Sequence, residues 1–592
     1  MFAQLCEMKQ GKSGVLIITN FKLSFITTES RPRDELGSQQ NMLLGEHDVC
    51  LSNVDVVYQT AGDKKRRLSP GTVPEKVKGL HVVCKNMRVF TFSFKFSPVG
   101  HGKNVTNALL HYAFPKRHQL LFAYDFREPY YNCGKEVCLF RSKADWEREL
   151  MHTGCAGWRL SSANHSFQMS ISLPQWLVVP GALLDWQLGD AAGHFRGRRP
   201  PVWTWGTPAG AALVRLADID PAIPDRMKEN VMLEYVRKSH PNRTQPLLVD
   251  LGKELPSPRD VQASYARFRE LCVPDNFRQF WLQDNNFYGL LDSTRWLSHV
   301  SAVLSKSLEA AEAMLSGVSV AIQENEGRDM CCTVASLVQL LLDPLCRTLA
   351  GFQALVQKEW VALGHPFCTR LGHIHRPDNE KSYLFLFFLD CVWQLLDQCP
   401  SWFEFTETYL TTLWDSAQMT VFDTFLFDCE RDRTLAANEP NNPMILRSVW
   451  DWGEQFLEKD IALFYSPLFV PSERDLTLVP VRTGPPHMSV WKQCYFRWMR
   501  LVEIPGGGMP QLDLQLRILL SEITSLRRGL AEGSYEELSP RPSVVSPGLG
   551  SFYPFGGSGG RHGSLLASTL TLDNCFGATE SLIDSQSLLN AD

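Results

Sequence analysis

Val318-Ser319-Val320-Ala321-Ile322-Gln323-Glu324-Asn325-Glu326-Gly327-Arg328-Asp329-Met330, followed by Cys331 and Cys332, is the stretch on which the fold turns. The β-branched run Val318 to Ile322 reads as a short buried strand. A loop with one glycine follows, and Thr333 to Leu342 carries apolar residues at helical spacing. Strand, tight loop and helix N-terminus together form a phosphate cradle, because loop N–H groups and the helix dipole converge on an anion.

Cysteine phosphatases use this architecture and need two further groups. A Cys at the strand end supplies a thiolate, held ionised by the surrounding N–H groups. An Arg six residues later grips two phosphate oxygens with its fork. Here those positions hold Glu324 and Met330. Glu324 and Glu326 are expected beside any bound phosphate, and one like-charge contact at about 4 Å costs up to about 4 kcal/mol at an effective dielectric near 20. Asp329 is left without a nucleophile or an anion grip to serve. The loop reads as structural.

At this loop the sequence resembles the myotubularins, phosphatases of 3-phosphoinositides whose active members carry His-Cys-Ser-Asp-Gly-Trp-Asp-Arg-Thr. Laid residue by residue, the His becomes Gln323, the nucleophilic Cys becomes Glu324 and the phosphate-binding Arg becomes Met330. Gly327 and Asp329 match, the latter at the family's acid; Asn325, Glu326 and Arg328 complete the degenerate loop. It is most similar to the inactive subgroup, the tenth to twelfth members, and among them to the tenth. The resemblance covers roughly Gly14 to Trp498, with Gly351 to Trp360, Phe388 to Gln394, Phe403-Glu404-Phe405 and Ser448 to Trp452 among its blocks. The active family's Asn-rich pocket stretch has no match between Asp218 and His240, so the pocket is expected to have lost more than its loop.

The chain has 592 residues, enough for two or three domains, with ordinary hydrophobic (44%) and charged (21%) content. A net charge of −5 argues against a dedicated nucleic-acid binder. The start, Met1 to Glu7, shows neither the basic nor the apolar region of a secretory signal. Sixteen scattered Cys form no Cys-x-x-Cys pair and no Cys/His cluster with zinc spacing, and read as reduced core thiols of a cytoplasmic protein. No metal or cofactor is expected. The apolar run Tyr383 to Leu389 is too short to span a bilayer, so membrane contact would be peripheral.

From the N-terminus, Gly14 to Phe25 reads as two strands about a Thr-Asn turn. Val54 to Tyr58, Leu80 to Cys84 and Val89 to Phe96 add strands, and Val105 to Phe114 closes with a helix. The order resembles the PH-GRAM domain of the myotubularins, a lipid-facing β-barrel, shortened at its N-terminal edge. Lys64-Lys65-Arg66-Arg67 reads as a polar loop, either solvated or touching anionic lipid. Arg196, Arg198 and Arg199 form either an anion patch or a solvated loop. Trp158 to Ser161, Leu177 to Pro180 and Pro201 to Trp205 read as strands; Val261 to Leu271 and Trp296 to Leu315 read as helices.

After the linker Pro505 to Pro510, Leu512, Leu516, Leu519, Ile523, Leu526 and Leu530 alternate spacings of four and three, the seam of a coiled coil under three heptads long. It either receives a partner helix or docks on its own domain. The Ser/Gly/Pro-rich remainder reads as disordered.

Two other Cys-x5-Arg matches, Cys272 with Arg278 and Cys494 with Arg500, contain no glycine and lack the strand before and the helix after. The expected organisation is a PH-GRAM-like β-barrel at 1–125, an inactive α/β cysteine-phosphatase-like domain at 126–504, a coiled-coil helix at 511–530 and a disordered tail at 531–592. The resemblance implies a pseudophosphatase that acts as adaptor or regulatory subunit of an active myotubularin in a hetero-oligomer. The alternative is a stand-alone phosphoinositide-binding membrane module.

Overall fold

The computed structural model describes residues 2–6, 11–27, 41–62, 64–127, 137–223, 227–274, 277–375, 380–471 and 476–498, with isolated positions between 519 and 528. Eight strands open the chain: β1 (Phe2–Cys6), β2 (Gly11–Ile18), β3 (Lys22–Thr27), β4 (Asp48–Cys50), β5 (Val54–Ala61), β6 (Lys64–Arg67), β7 (Gly79–Cys84) and β8 (Val89–Ser93). They form one antiparallel sheet in the order β4-β3-β2-β1-β8-β7-β5-β6. The helix His101–Ala113 lays Val105, Leu109 and Leu110 onto it. Leu23 and Val49 near one edge share a core with Val57 and Leu80 near the other, so the sheet curls around this helix.

Two strands differ from expectation. Lys64-Lys65-Arg66-Arg67 is not a loop but the edge strand β6, all four side chains exposed. Extended cations suit an unpaired edge, where charge discourages further strand addition. Phe2–Cys6 forms a strand between β2 and β8 that no alternation in so short a segment announced.

The central part of the chain contains a two-stranded ladder, β9 (Trp158–Ser161) with β10 (Leu177–Pro180), and a four-stranded mixed sheet. That sheet runs β11 (Val202–Gly206), β12 (Ala212–Ala217), β14 (Val320–Glu324), β13 (Leu247–Asp250). β14 is parallel to both neighbours. A strand flanked on both sides and covered on both faces must be apolar throughout, and all five of its residues are buried. It begins at Val320 rather than Val318, because both partners start their register there, at Leu213 and Leu247.

Helices Pro258–Cys272, Trp296–Leu315, Met330–Leu342 and Leu384–Gln398 contribute to the largest core. Asp390, the residue that ends the apolar run, is fully buried in the last of them. It accepts from Trp296 Nε1 at 2.7 Å and Tyr495 OH at 2.6 Å. Among the described residues, no helix is long and apolar enough to cross a membrane. The cysteines whose side chains are described form no disulfide, and all of these but Cys138 are buried.

One end of the eight-stranded sheet is sealed against the central part by polar contacts. Asp55 faces Arg269, Lys381 Nζ at 3.3 Å and the Tyr383 hydroxyl at 3.2 Å. Asn86 donates to Asp415 at 3.0 Å, and the Tyr265 hydroxyl to the Lys85 carbonyl at 2.6 Å. Burial raises the Asp55 pKa, but Lys381 and Arg269 outweigh it and hold the carboxyl well below the usual carboxylate range.

Asp55→Ala strands two cations at this junction. Their side chains remain 21% and 20% exposed, so a loss of about 2–4 kcal/mol is expected, at the low end for a broken buried pair. A depressed carboxyl contributes fully above its ordinary pKa and fades as pH falls below it, so the gap to wild type should narrow in acid. Urea denaturation checks this, and equal midpoints near neutral pH would show the junction contributes nothing.

Candidate functional site

The site is built where β14 ends and the helix Met330–Leu342 begins. Gly327 takes φ +64°, and a Cβ there would sit 2.9 Å from the Leu216 carbonyl oxygen, so the turn requires glycine. Its N–H donates to the Glu324 carbonyl at 2.7 Å, and Asp218 N to the Asn325 carbonyl at 2.9 Å. From below, Arg215 Nη2 donates to the Gly327 carbonyl at 2.9 Å. Arg215 is itself paired with buried Glu359 at 2.9 Å. The backbone is thus that of an anion cradle, and it is firmly held.

The cradle is occupied by its own chain. Glu324 Oε1 accepts from Met330 N at 3.0 Å, and Oε2 accepts from Cys331 N at 3.0 Å and Asp329 N at 3.3 Å. Three successive N–H groups at a helix start, a ready anion site, converge on one carboxylate. These donors also explain why the helix starts at Met330 rather than Thr333. Burial and the nearby Asp329 charge push the Glu324 pKa up to about 7, against the lowering effect of the three N–H bonds.

The remaining loop residues are each engaged. Gln323 Nε2 donates to buried Glu229 at 2.6 Å and to the Ala217 carbonyl at 3.3 Å. Glu229 lies in the Asp218 to His240 segment, which therefore now serves Gln323. Asn325 accepts from Arg196. Arg328 donates to the Gly364 and Asp428 carbonyls at 2.7 and 2.6 Å and lies 3.4 Å from Glu326. Met330 is a core residue, 1% exposed. Asp329 meets Arg370 two-pronged, at 2.9 and 2.7 Å, with His365 at 3.6 Å. Despite burial, the Arg370 fork holds Asp329 below its ordinary pKa, while burial pushes His365 down to about 4.

Two expectations change. Glu324 and Glu326 do not flank an open anion site together: Glu324 fills the cradle, whereas the Glu326 side chain is half exposed. Nor do the three arginines form a patch, since Arg199 is buried and spent on the Ser172 and Leu363 carbonyls at 3.0 and 2.8 Å. Arg370, His365 and the Arg215–Glu359 pair went unnoticed in the sequence. They lie 41, 36 and over 100 residues from the groups they serve, with no local spacing to reveal them.

A cavity of about 360 Å³ opens beside the loop. Among the described residues, four carboxylates, Glu326, Asp329, Glu380 and Asp428, line it together with Arg328 and Arg370. Both arginines are already bonded within the chain. A polyanionic headgroup would meet net negative charge here. Cys272 and Cys494 are buried thiols with pKa raised well above normal by burial, Cys272 at the end of a helix rather than of a strand. Arg500 lies outside the described residues, as do Leu512, Leu516 and Leu530 of the seam and positions 531–592. Positions 519, 522–523 and 526–528 are helical, with Leu519 and Leu526 each 50% exposed and Ile523 partly buried.

A cradle of the cysteine-phosphatase type, carried on a mixed α/β sheet and filled by a glutamate, defines the class of protein. The myotubularin-like phosphatase domain matches residues 120–254 and 253–434, and a second model, described as myotubularin-associated protein, matches 444–538. The chain is 39% identical to myotubularin-related protein 10-B of Xenopus laevis over 90% of its own length and 83% of the relative's. It is 33% identical to human myotubularin-related protein 10 over 88% and 82%, and 30% identical to Danio rerio myotubularin-related protein 12 over 98% and 91%. The chain belongs to the myotubularin family.

A carboxyl whose folded pKa lies above its ordinary 4.5 takes up protons on folding. Its contribution is full at low pH and is lost as pH rises through about 7. Glu324→Gln removes this titration. Relative to the variant, the wild type should lose stability as pH rises from about 4.5 through about 7. Urea denaturation across this range is the check; a pH-independent difference would show an unshifted carboxyl.

Proposed function

We propose that this chain is a catalytically inactive phosphoinositide 3-phosphatase homologue that acts as adaptor or regulatory subunit of an active myotubularin. The observation that carries the reading is the Glu324 carboxylate on the N–H groups of Asp329, Met330 and Cys331. A carboxylate is not the nucleophile of thiolate chemistry, and it takes up the donors that would bind the phosphate. Met330 supplies no fork to replace them. The proposed organisation is a PH-GRAM-like domain at 1–125, an inactive phosphatase-like domain at 126–504 and a coiled-coil helix at 511–530.

Support for assembly comes from the C-terminal match, whose 444–538 span includes the whole apolar seam. Arg527 Nη2 donates to the Phe469 carbonyl at 3.1 Å, while Leu519 and Leu526 remain exposed. A helix that touches its own body through Arg527 keeps seam residues available to a partner. Peripheral contact with a phosphoinositide membrane is the second reading, motivated by the exposed cationic strand β6.

The purified chain is expected to release no phosphate from phosphatidylinositol 3-phosphate or the 3,5-bisphosphate. Turnover above that of Glu324→Ala would overturn the reading. Glu324→Cys with Met330→Arg should not restore full activity, because Arg370 remains locked on Asp329 and Gln323 on Glu229.

Leu519→Glu with Ile523→Glu places charge in mid-seam, where it is either buried at a cost or breaks the contact. Co-immunoprecipitation of an active myotubularin should fall while the melt of the double variant stays unchanged. Undiminished association with an unchanged melt would show an idle seam. A collapsed melt would show that the helix packs on its own domain.

A further inference from the structure

Strands β5, β7 and β8 have two unlike ends. The start of β5 and the segment after β7 are sealed against the central part through Asp55, Asn86 and the Lys85 carbonyl. At the other end, the ladders bring Ala61 opposite Lys64, Gln59 opposite Leu80 and Gly79 opposite Ser93. Gln59 donates to the Lys76 carbonyl at 2.9 Å, and Phe94 N to the Lys78 carbonyl at 2.8 Å. The turn after β5, the segment leading into β7 and the loop after β8 therefore share the end that points away from the docked one.

Here stand Val99, 94% exposed, and Phe96, 78% exposed, the two most exposed large apolar side chains among the described residues. Exposed Lys64, Lys76, Lys78 and Lys95 accompany them on these segments. Lys95 Nζ lies 5.6 Å from the centre of the Phe96 ring. The described residues of these segments include one acid, Glu75, which is paired with Lys103 at 2.5 Å. Single exposed apolar residues need no explanation. Two at one loop tip, amid cations, on the free end of a domain anchored at its other end, do.

We propose that this end of the sheet docks peripherally on an anionic lipid bilayer, with Phe96 and Val99 entering the interface and the lysines lying over the headgroups. A convex apolar tip suits a deformable surface, and an aromatic ring beside snorkelling lysines spans the apolar and polar layers of that surface. Flanking cations draw it to negative charge within a Debye length. The proposal rests on the peripheral-membrane reading above and names the surface responsible.

The test is co-sedimentation of the full chain with vesicles of phosphatidylcholine, alone or mixed equally with phosphatidylserine. The wild type should bind the mixed vesicles, release them as salt rises and ignore phosphatidylcholine alone. Phe96→Ser with Val99→Ser should weaken binding about tenfold or more, and Lys78→Glu with Lys95→Glu should do likewise, with melts matching wild type because all four side chains are exposed. Equal binding by wild type and both variants would overturn this surface yet leave a membrane role standing. Failure of the wild type to bind either vesicle would overturn the surface and the membrane reading together. Salt-insensitive binding to both vesicles would overturn the requirement for anionic lipid.

Discussion

Three backbone N–H groups at the start of the helix Met330–Leu342 point to one place, and such donors must find an acceptor when buried. Glu324 provides it from within the chain. This internal hydrogen-bonded contact joins the strand end to the helix start across the turn at Gly327. The three donors are satisfied within the chain.

The surrounding side chains are likewise engaged within the chain. Asp329 receives the Arg370 fork, which also reaches Glu380. Arg328 is spent on carbonyls, and Gln323 on Glu229. Beneath them the Arg215–Glu359 pair, with Lys358 and Gln339, holds the loop from the core side. Buried charges persist only when paired and hydrogen-bonded, and here Arg215 also holds the Gly327 carbonyl of the loop. Among the described residues, the neighbouring cavity carries four carboxylates and two arginines, both already bonded within the chain.

Strands β5, β7 and β8 divide their labour along the strand direction. One end uses Asp55, Arg269, Lys381 and Tyr383 to weld them to the central part. The edge strand β6 and the loop tip at Phe96 and Val99 remain outside that junction, exposed and surrounded by lysine. The C-terminal helical positions, which contact the body through Arg527, present a second exposed surface.

Local chemistry was legible in the sequence. The β-branched run, the single glycine and the apolar helix spacing announced β14, its turn and the helix after it, within two or three residues. Glu324 and Met330, which the family resemblance sets at the nucleophile and arginine positions, stood in the sequence without coordinates, as did most strands of the N-terminal sheet. Only the tertiary structure decided where the Glu324 carboxylate points, since a side chain at a strand end can turn to solvent or into the cradle and its identity does not choose. The same holds for Arg370, Glu229, Arg215 and the Asp55 junction. Each pairs groups tens to hundreds of residues apart, and folding alone brings such groups within reach. Short strands such as Phe2–Cys6 and Lys64–Arg67 also needed their neighbours, because four or five residues hold too little pattern to outweigh composition, and a ladder partner decides them.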